Sequence, residues 1–222
     1  MVKLLTLAIL LTFITSSWAQ EIKLGLVQYQ GGGDWYANLD TSLPNLAAFA
    51  NKNLGTKIDE EQAIVSLDDP SLYQYPFLHL TGHGNIVLSD AEVNNLRNYL
   101  LAGGFLHIDD NYGMDKFIRP QLKRVFPELD LVELPSGHPI FHQTFDFAEG
   151  LPKIHEHDNN RPQALGLIKD GKLLCLYTYE SDLGDGWEDP RIHNDTQENH
   201  IEALQMGANI LEYIFMNAQK NG

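Results

Sequence analysis

Short, almost continuously apolar runs alternate along the chain with stretches in which apolar residues recur every three or four positions. Apolar runs that are bounded by Gly, Pro, Asn or Asp are typical of strands. We predict strands over residues 22–29, 76–81, 105–108, 131–134, 164–169 and 172–179. The first three are apolar almost throughout, which is typical of parallel strands that helices cover on both faces.

The stretches with helical periodicity predict four helices. They cover residues 43–54, the segment from Ser89 to the Gly103-Gly104 pair, residues 114–125 and residues 198–216. Ser89 is the predicted N-cap of the second helix, and Pro120 is a candidate for a kink or break in the third. Asp170-Gly171, between the last two predicted strands, indicates a β-hairpin.

Strands and helices alternate through the first two thirds of the chain, and the last predicted element is a helix. This order predicts a layered α/β domain with a mainly parallel sheet and a C-terminal β-hairpin region. We expect residues 21–222 to form this single domain. The long irregular segment 136–162 is rich in His, Pro and Asn, and loops of this length are usually functional or disordered.

Residues 1–20 differ from the rest of the chain. Lys3 precedes an apolar run over residues 4–14, and Ser17 and Ala19 have the small-x-small spacing of a cleavage site. This order is typical of a secretory signal peptide, and the apolar run is shorter than the roughly 20 residues needed to span a bilayer. We therefore predict cleavage near Ala19 and an exported protein, periplasmic or extracellular. An N-terminal membrane anchor or a buried helix is the alternative.

Composition narrows the classes of partner. The 222 residues include 15 Lys and Arg against 30 Asp and Glu, a formal net charge of −15. Such a surface repels phosphate backbones and anionic lipid, so we expect no nucleic-acid partner and no binding to membrane surfaces. No stretch after residue 20 is long and apolar enough for a transmembrane helix, so we do not expect an integral membrane protein. The single cysteine, Cys175, excludes an intrachain disulfide and a cysteine-cluster metal site.

The candidate site lies after the predicted parallel strands, because ligands of open α/β sheets bind beyond the carboxyl ends of the strands. Four such ends carry Gly, His, Asp, Trp or Tyr in place of ordinary turn residues. The candidate ligand-binding residues are Gly82, Gly84, Asp34, Trp35, Asp110, Tyr112, Trp187 and Glu188. The candidate catalytic residues are His83, Asp109 and Asp182.

Gly82-His83-Gly84 occupies the strand-to-helix turn at which α/β hydrolases carry a nucleophile. A histidine at the centre of this turn disfavours Ser or Cys hydrolysis. His83 is then a general base, a metal ligand or an anion-binding group, unless the two glycines only permit a tight turn and His83 makes a structural hydrogen bond.

Histidines supply the candidate metal ligands, which are His83, His107, His155 and His157. His107 shares a strand face with Asp109, and we expect it to fall at ligand distance from His83. A zinc site needs three or four convergent ligands, so a core histidine and a solvated polar loop are the alternatives. No cofactor is identified by the sequence.

Residues 182–189 form the most distinctive string, DLGDGWED. Its alternating glycines permit positive φ and predict a tight, exposed acidic loop. The carboxylates are suitable calcium ligands, although the spacing is not that of an EF-hand. Trp187 beside them is a generic candidate for a carbohydrate-binding platform, and a plain acidic surface loop is the alternative.

Three segments carry a family resemblance: LHLTGHGNIVLSDAEVNNLRNYLLAGGFLHIDDNYG (78–113), LPSGHPIFH (134–142) and YESDLGDGWE (179–188). They resemble domain-of-unknown-function family 4159, which is placed with the class I glutamine amidotransferase-like, flavodoxin-like folds. The resemblance extends over residues 22–215 and implies a doubly wound α/β fold. It implies no activity, and His83 stands where amidotransferases have Cys, which argues against glutaminase chemistry.

Two functions follow as hypotheses. The first is a non-catalytic module of the cell envelope that binds a small molecule or an envelope protein in the crevice. The second is a metal-assisted hydrolase that uses His83, Asp109 and Asp182 with histidines of the irregular segment. A sugar-processing enzyme is a weaker variant of the second, by analogy of fold alone.

Overall fold

The computed structural model describes residues 22–220, with side chains described for residues 22–215. The predicted signal peptide, residues 1–20, lies outside the described residues. The strands are β1 (Ile22–Gln28), β2 (Ile58–Ser66), β3 (Phe77–Gly82), β4 (Phe105–Asp110), β5 (Leu131–Glu133), β6 (Gln163–Lys169) and β7 (Lys172–Tyr179). The helices are α1 (Ser42–Leu54), α2 (Asp90–Leu101), α3 (Asp115–Val125), α4 (Leu183–Trp187), α5 (Pro190–His193) and α6 (Gln197–Lys220).

The strands form one sheet in the order β2-β1-β3-β4-β7-β6-β5. The first five of these are parallel, and β6 pairs antiparallel with both β7 and β5. This arrangement confirms the predicted α/β fold with a mainly parallel sheet and a C-terminal hairpin. The strand order reverses between β1 and β3, as in flavodoxin-like folds.

Two apolar cores cover the sheet. One contains residues of α2 and α3, and the other contains residues of α1, α4 and α6. Successive residues of β3 alternate between the two cores, with Phe77 in the second and Leu78 in the first. Almost every residue of β3 and β4 is therefore buried, as predicted for strands covered on both faces.

The boundaries of α2 follow the predicted signals. Ser89 accepts a hydrogen bond from the Glu92 backbone N–H at 3.2 Å, and Glu92 accepts one from the Ser89 N–H at 2.7 Å. This capping box satisfies two backbone donors at the start of the helix. Beyond the other end, Gly103 adopts a φ of 105°, which other residues rarely adopt. Pro120 lies inside α3 and does not end it.

Strand β2 was not predicted. Its sequence, IDEEQAIVS, is polar because β2 lies at the edge of the sheet and is only partly buried. Ile64 is about half exposed there. Edge strands commonly carry charged residues that oppose association with other chains, so the apolar signal that marks an interior strand is missing.

Two histidines pair inside the second core. The register of β3 and β4 places His79 opposite His107, and their Nδ1 atoms are 3.0 Å apart. The Trp187 ring lies 5.1 Å from the His79 ring and 5.3 Å from the His107 ring. Burial lowers the pKa of His79 to about 3 and the pKa of His107 well below its ordinary value, so both imidazoles are neutral.

In the His79→Gln variant, we expect a shallower pH dependence of the free energy of unfolding on the acid side. The unfolded chain takes up a proton on His79 near pH 6.5, whereas the folded chain does so only near its lowered pKa of about 3. The stability from the neutral imidazole is complete above pH 6.5 and is lost as the pH falls, by at most ~1.4 kcal/mol per pH unit. Urea unfolding between about pH 4.5 and 6.5 measures the slope.

The same measurement above about pH 7.5 is the internal control, because His79 is then neutral in both the folded and unfolded states. Parent and variant should have equal slopes there. Equal slopes on the acid side as well would contradict the assignment of His79 as a buried, neutral group.

Candidate metal centre

Helix α4 follows β7 closely and is held by a carboxylate from the neighbouring strand β4. Asp109 accepts hydrogen bonds from the backbone N–H groups of Leu183 at 3.2 Å and Gly184 at 2.6 Å. It also accepts one from the Thr178 hydroxyl at 2.5 Å. These bonds satisfy N–H groups that a helix start leaves free. Asp109 therefore positions α4 over the ends of β4 and β7.

Asp109 is completely buried, and burial together with the nearby Asp182 raises its pKa to about 8. A raised carboxyl pKa means that the folded state favours the protonated form. The part of the stability that is linked to protonation of Asp109 is complete below the ordinary carboxyl pKa of 3.8 and is lost as the pH rises toward 8.

The DLGDGWED string is buried, so the prediction of an exposed acidic loop is wrong. Its two glycines lie where there is little room for a side chain. A Cβ on Gly184 would lie 3.0 Å from Asp109 Oδ2, and a Cβ on Gly186 would lie 2.6 Å from the Cβ of Ala203. Trp187 is fully buried and donates its indole N–H to the Ala203 carbonyl at 2.8 Å. With no exposed ring face, Trp187 is not the binding platform that the sequence suggested.

Seven side chains gather around α4 and beside it, and we call them the rim cluster: His155, His157, Asp182, Asp185, Glu188, His193 and Asp195. Asp182, Asp185 and Glu188 come from α4 and its flanks, and His193 ends α5. The histidines are partly exposed, whereas the side chains of all four carboxylates are at least nine-tenths buried. The cluster thus has a buried acidic floor and an accessible side lined by imidazoles.

His155 lies at the centre of the first half of the rim cluster. Its Nδ1 atom is 3.4 Å from Asp182 Oδ2 and 3.6 Å from Asp185 Oδ2, and its Nε2 atom is 2.7 Å from Asp195 Oδ1. His157 Nε2 also contacts Asp182 Oδ2, and the exposed Tyr112 ring stacks on His157 with 4.6 Å between ring centroids.

Amide groups from two other loops hold the floor of the cluster in place. Asn38 Nδ2 donates to Asp185 Oδ1 at 2.6 Å, and Asn111 Nδ2 donates to the same oxygen at 2.8 Å. The Thr81 hydroxyl bonds both amide oxygens, at 2.9 and 2.8 Å. Asp185 therefore has one oxygen committed to amides and directs the other, Oδ2, toward the histidines.

Close contacts between the imidazoles and the carboxylates dominate the electrostatics of the cluster. Asp182 and Asp185, with Asp195, raise the pKa of His155 to about 11 against the opposing effect of burial. Glu188 is the main cause of the raised pKa of His193. Burial opposes ionisation of Asp185, yet His155 and Asn38 hold its pKa below the ordinary value. Without another cation, His155 is therefore protonated at neutral pH.

The geometry also suits a metal ion. His155, Asp182 and Asp185 each offer one ligand atom, and the three atoms lie within 4.8 Å of one another. Two buried carboxylate oxygens of the cluster, Asp182 Oδ1 and Asp195 Oδ2, have no hydrogen-bond partner among the described residues. Unpaired buried carboxylate oxygens are costly, and a cation bound by Asp182 would offset the buried charge of that side chain.

The structure divides the predicted site residues between two places. Asp182, Glu188, His155 and His157 join the rim cluster, with Tyr112 at its side and Asp109 beneath it. His83 instead pairs with Asp34: Asp34 Oδ1 accepts the His83 backbone N–H at 2.5 Å, and Oδ2 lies 3.0 Å from the imidazole Nδ1. Among the described residues, His83 thus pairs with neither Asp109 nor Asp182, the other two candidate catalytic residues.

Gly82 and Gly84 flank this histidine and both adopt positive φ, 130° and 76°. A Cβ on Gly82 would lie 2.6 Å from the Tyr29 hydroxyl oxygen, so the turn requires glycine there. Trp35, in the loop that carries Asp34, is only partly exposed because it packs against both apolar cores.

His107 and Asp110 have structural partners. His107 is paired with His79, and its Nε2 atom lies 3.0 Å from the Thr178 hydroxyl oxygen. It is therefore not at ligand distance from His83, contrary to the prediction. The register explains this, because His83 lies four residues beyond the paired position, about 13 Å along the strand direction. Asp110 accepts the backbone N–H of Met114 at 2.8 Å and caps α3.

The named candidate site residues did not include five side chains that the structure places in or against the rim cluster, although Asp185 was considered as a carboxylate of the DLGDGWED string. They are Asn38, Asn111, Asp185, His193 and Asp195. A signal for one of them was present: Asp182, Asp185 and Glu188 are spaced three residues apart, and this spacing places side chains on one side of a helix. It was missed because the intervening glycines indicated a loop.

The fold and the cluster together define a flavodoxin-like α/β domain with a histidine–carboxylate site beyond its parallel strands. The chain matches the family described as Domain of unknown function (DUF4159) over residues 23–215, and it belongs to that family. This confirms the resemblance carried by the three sequence segments. No curated protein matches the chain. No helix in the described part of the chain is both long and apolar enough to cross a membrane.

Replacing Asp109 tests whether it holds α4. We expect Asp109→Ala to lower the free energy of unfolding by roughly 2–4 kcal/mol, because two buried N–H groups lose their acceptor. Asp109→Asn should cost about 1 kcal/mol, since its amide oxygen still accepts. Urea unfolding at one pH compares the three proteins. An Ala variant as stable as the parent would show that α4 is held by other contacts.

Proposed function

We propose that this domain binds a divalent transition-metal ion at His155, Asp182 and Asp185. Imidazole nitrogen and carboxylate oxygen are suitable ligands for zinc, manganese and iron. One observation carries the proposal. The distances of His155 Nδ1 to Asp182 Oδ2 and to Asp185 Oδ2, 3.4 and 3.6 Å, exceed the usual hydrogen-bond length. They are close to the ~3.3 Å that separates two ligands on a tetrahedral ion with bonds of about 2.0–2.1 Å.

The surroundings of these ligands support the proposal. Metal-bound histidines usually donate their second ring N–H to a carboxylate, and His155 has Asp195 in that position. Ligating carboxylates are usually held by hydrogen bonds, and Asp185 receives two from amides.

The partly exposed histidines of the rim cluster suggest a role for the bound ion. His157, partly exposed and stacked on Tyr112, lies on the side from which a small molecule can approach the ion. We propose that the ion anchors an anionic small-molecule ligand there, so that the domain acts as a binding module. Metal-assisted hydrolysis is the second candidate, favoured by imidazoles beside a metal position, where they can accept protons.

Zinc binding is the direct test. We expect chelator-treated protein to take up Zn²⁺ and to release about one proton at neutral pH, because the metal displaces the proton that His155 holds with its pKa of about 11. The affinity should then rise about tenfold per pH unit over the neutral range. Asp182→Asn should abolish uptake at the His155 position, and Asp195→Asn should weaken uptake there by roughly 10–100-fold. Calorimetry in buffers of different ionisation enthalpy measures the zinc affinity and the number of protons released.

Asp146→Asn is the matched control, because Asp146 pairs with His142 at 2.5 Å in an exposed His–Asp pair outside the cluster. It should bind zinc like the parent. Absence of uptake by the parent would refute the proposal and leave the cluster as a set of ion pairs. Zinc-dependent cleavage of a chromogenic ester or phosphate that is lost in Asp182→Asn would favour the hydrolase over the binding module.

We further propose that the domain acts outside the cytoplasm after removal of its leader. The support is the order of Lys3, the apolar run and the Ser17-x-Ala19 site. Mass spectrometry of protein recovered from the periplasmic fraction or the medium should show a chain that begins at Gln20. An intact N-terminus in a membrane fraction would favour an anchor instead. An intact chain in the cytoplasm would exclude export.

A further inference from the structure

The rim cluster has a second half that mirrors the first. His193 Nδ1 lies 3.6 Å from Asp185 Oδ2, the same oxygen that lies 3.6 Å from His155 Nδ1. On its other side, His193 Nε2 is 2.7 Å from Glu188 Oε2, and His155 Nε2 is 2.7 Å from Asp195 Oδ1; unlike Asp195, Glu188 is also within ligand spacing of Asp185. One carboxylate oxygen is thus shared by two imidazoles, each held by its own carboxylate.

The second half also has the spacing of a metal site. Asp185, Glu188 and His193 each offer one ligand atom, and these atoms lie within 4.8 Å of one another. Asp185 belongs to both ligand sets. Its Oδ1 atom is already occupied by Asn38 and Asn111, so Oδ2 is the oxygen available to bridge.

The charge balance favours two ions over one. No Lys or Arg pairs with any of the four cluster carboxylates in the part of the chain that the structure describes. With neutral imidazoles the cluster carries four negative charges. One divalent ion at His155 offsets two of them and a proton shared by His193 and Glu188 offsets a third, which leaves one in a largely buried site. Two divalent ions neutralise all four, and uncompensated buried charge is strongly unfavourable.

We propose that the cluster holds two divalent metal ions bridged by Asp185 Oδ2, with the second ion bound by Glu188 and His193. This rests on the proposed function, to which it adds the second ion. Metal pairs that share a carboxylate lie about 3.5–4 Å apart and hold an oxyanion between them. The ligand class is therefore a small molecule with a phosphate or carboxylate group.

Metal stoichiometry tests the second ion separately from the first. Chelator-treated protein is reloaded with Zn²⁺, passed through a desalting column and analysed for bound metal. We expect two ions per chain in the parent and one in both His193→Ala and Glu188→Gln. The His142→Ala control removes an exposed, carboxylate-paired histidine outside the cluster and should retain two. Circular dichroism checks that each variant is folded, and Glu188→Gln preserves the side-chain shape.

Reloading with Co²⁺ tests the bridge. We expect the parent to show the electron paramagnetic resonance signature of two coupled ions, and each single variant that of an isolated ion. One zinc per chain in the parent, unchanged in His193→Ala, would overturn this inference and leave the single-ion proposal intact. No bound zinc would overturn both. Two zinc ions that neither variant removes, or two uncoupled cobalt ions, would place the second ion elsewhere and overturn the bridge.

Discussion

The hydrogen bonds from α4 to the buried carboxylate of Asp109 are the interaction on which the candidate site depends. They tie the backbone of Leu183 and Gly184 to β4, although α4 follows β7 in the chain. Because α4 has only five residues, it has little helical stability of its own. Its position, and with it the positions of Asp185 and Glu188, is set by tertiary contacts rather than by local sequence.

The second constraint is the cost of burying acidic groups without basic partners. Asp182, Asp185 and Glu188 are buried together, and their charged partners in the described structure are histidines. Histidine is the one side chain whose ordinary pKa lets it be either cation or neutral ligand near neutral pH. In the proposed metal binding, these histidines would give up protons and become neutral ligands, which connects the electrostatics of the cluster to its proposed role.

Much of the fold was predictable because its interior strands carry a strong local signal. The apolar runs of β3 and β4 and the cap at Ser89 identify their elements without knowledge of the tertiary structure. Strand β2 lacked that signal because an edge strand needs no second buried face.

Part of the site was predictable from the rule that ligands bind beyond parallel strands, which indicated Asp182, Glu188 and Tyr112. The convergence of His155 with Asp195, 40 residues apart in the chain, follows only from tertiary packing.

The buried pair of His79 and His107 has a consequence for how the sheet assembles. The imidazoles pack against the Phe77 and Trp187 rings, and among the described residues the Nδ1 atom of each is paired with that of the other. A slip of one residue between β3 and β4 would point one ring into the opposite core and leave both Nδ1 atoms without that partner, an expensive error in an apolar interior. The pair therefore favours the strand register of β3 and β4 in which Asp109 lies beneath α4.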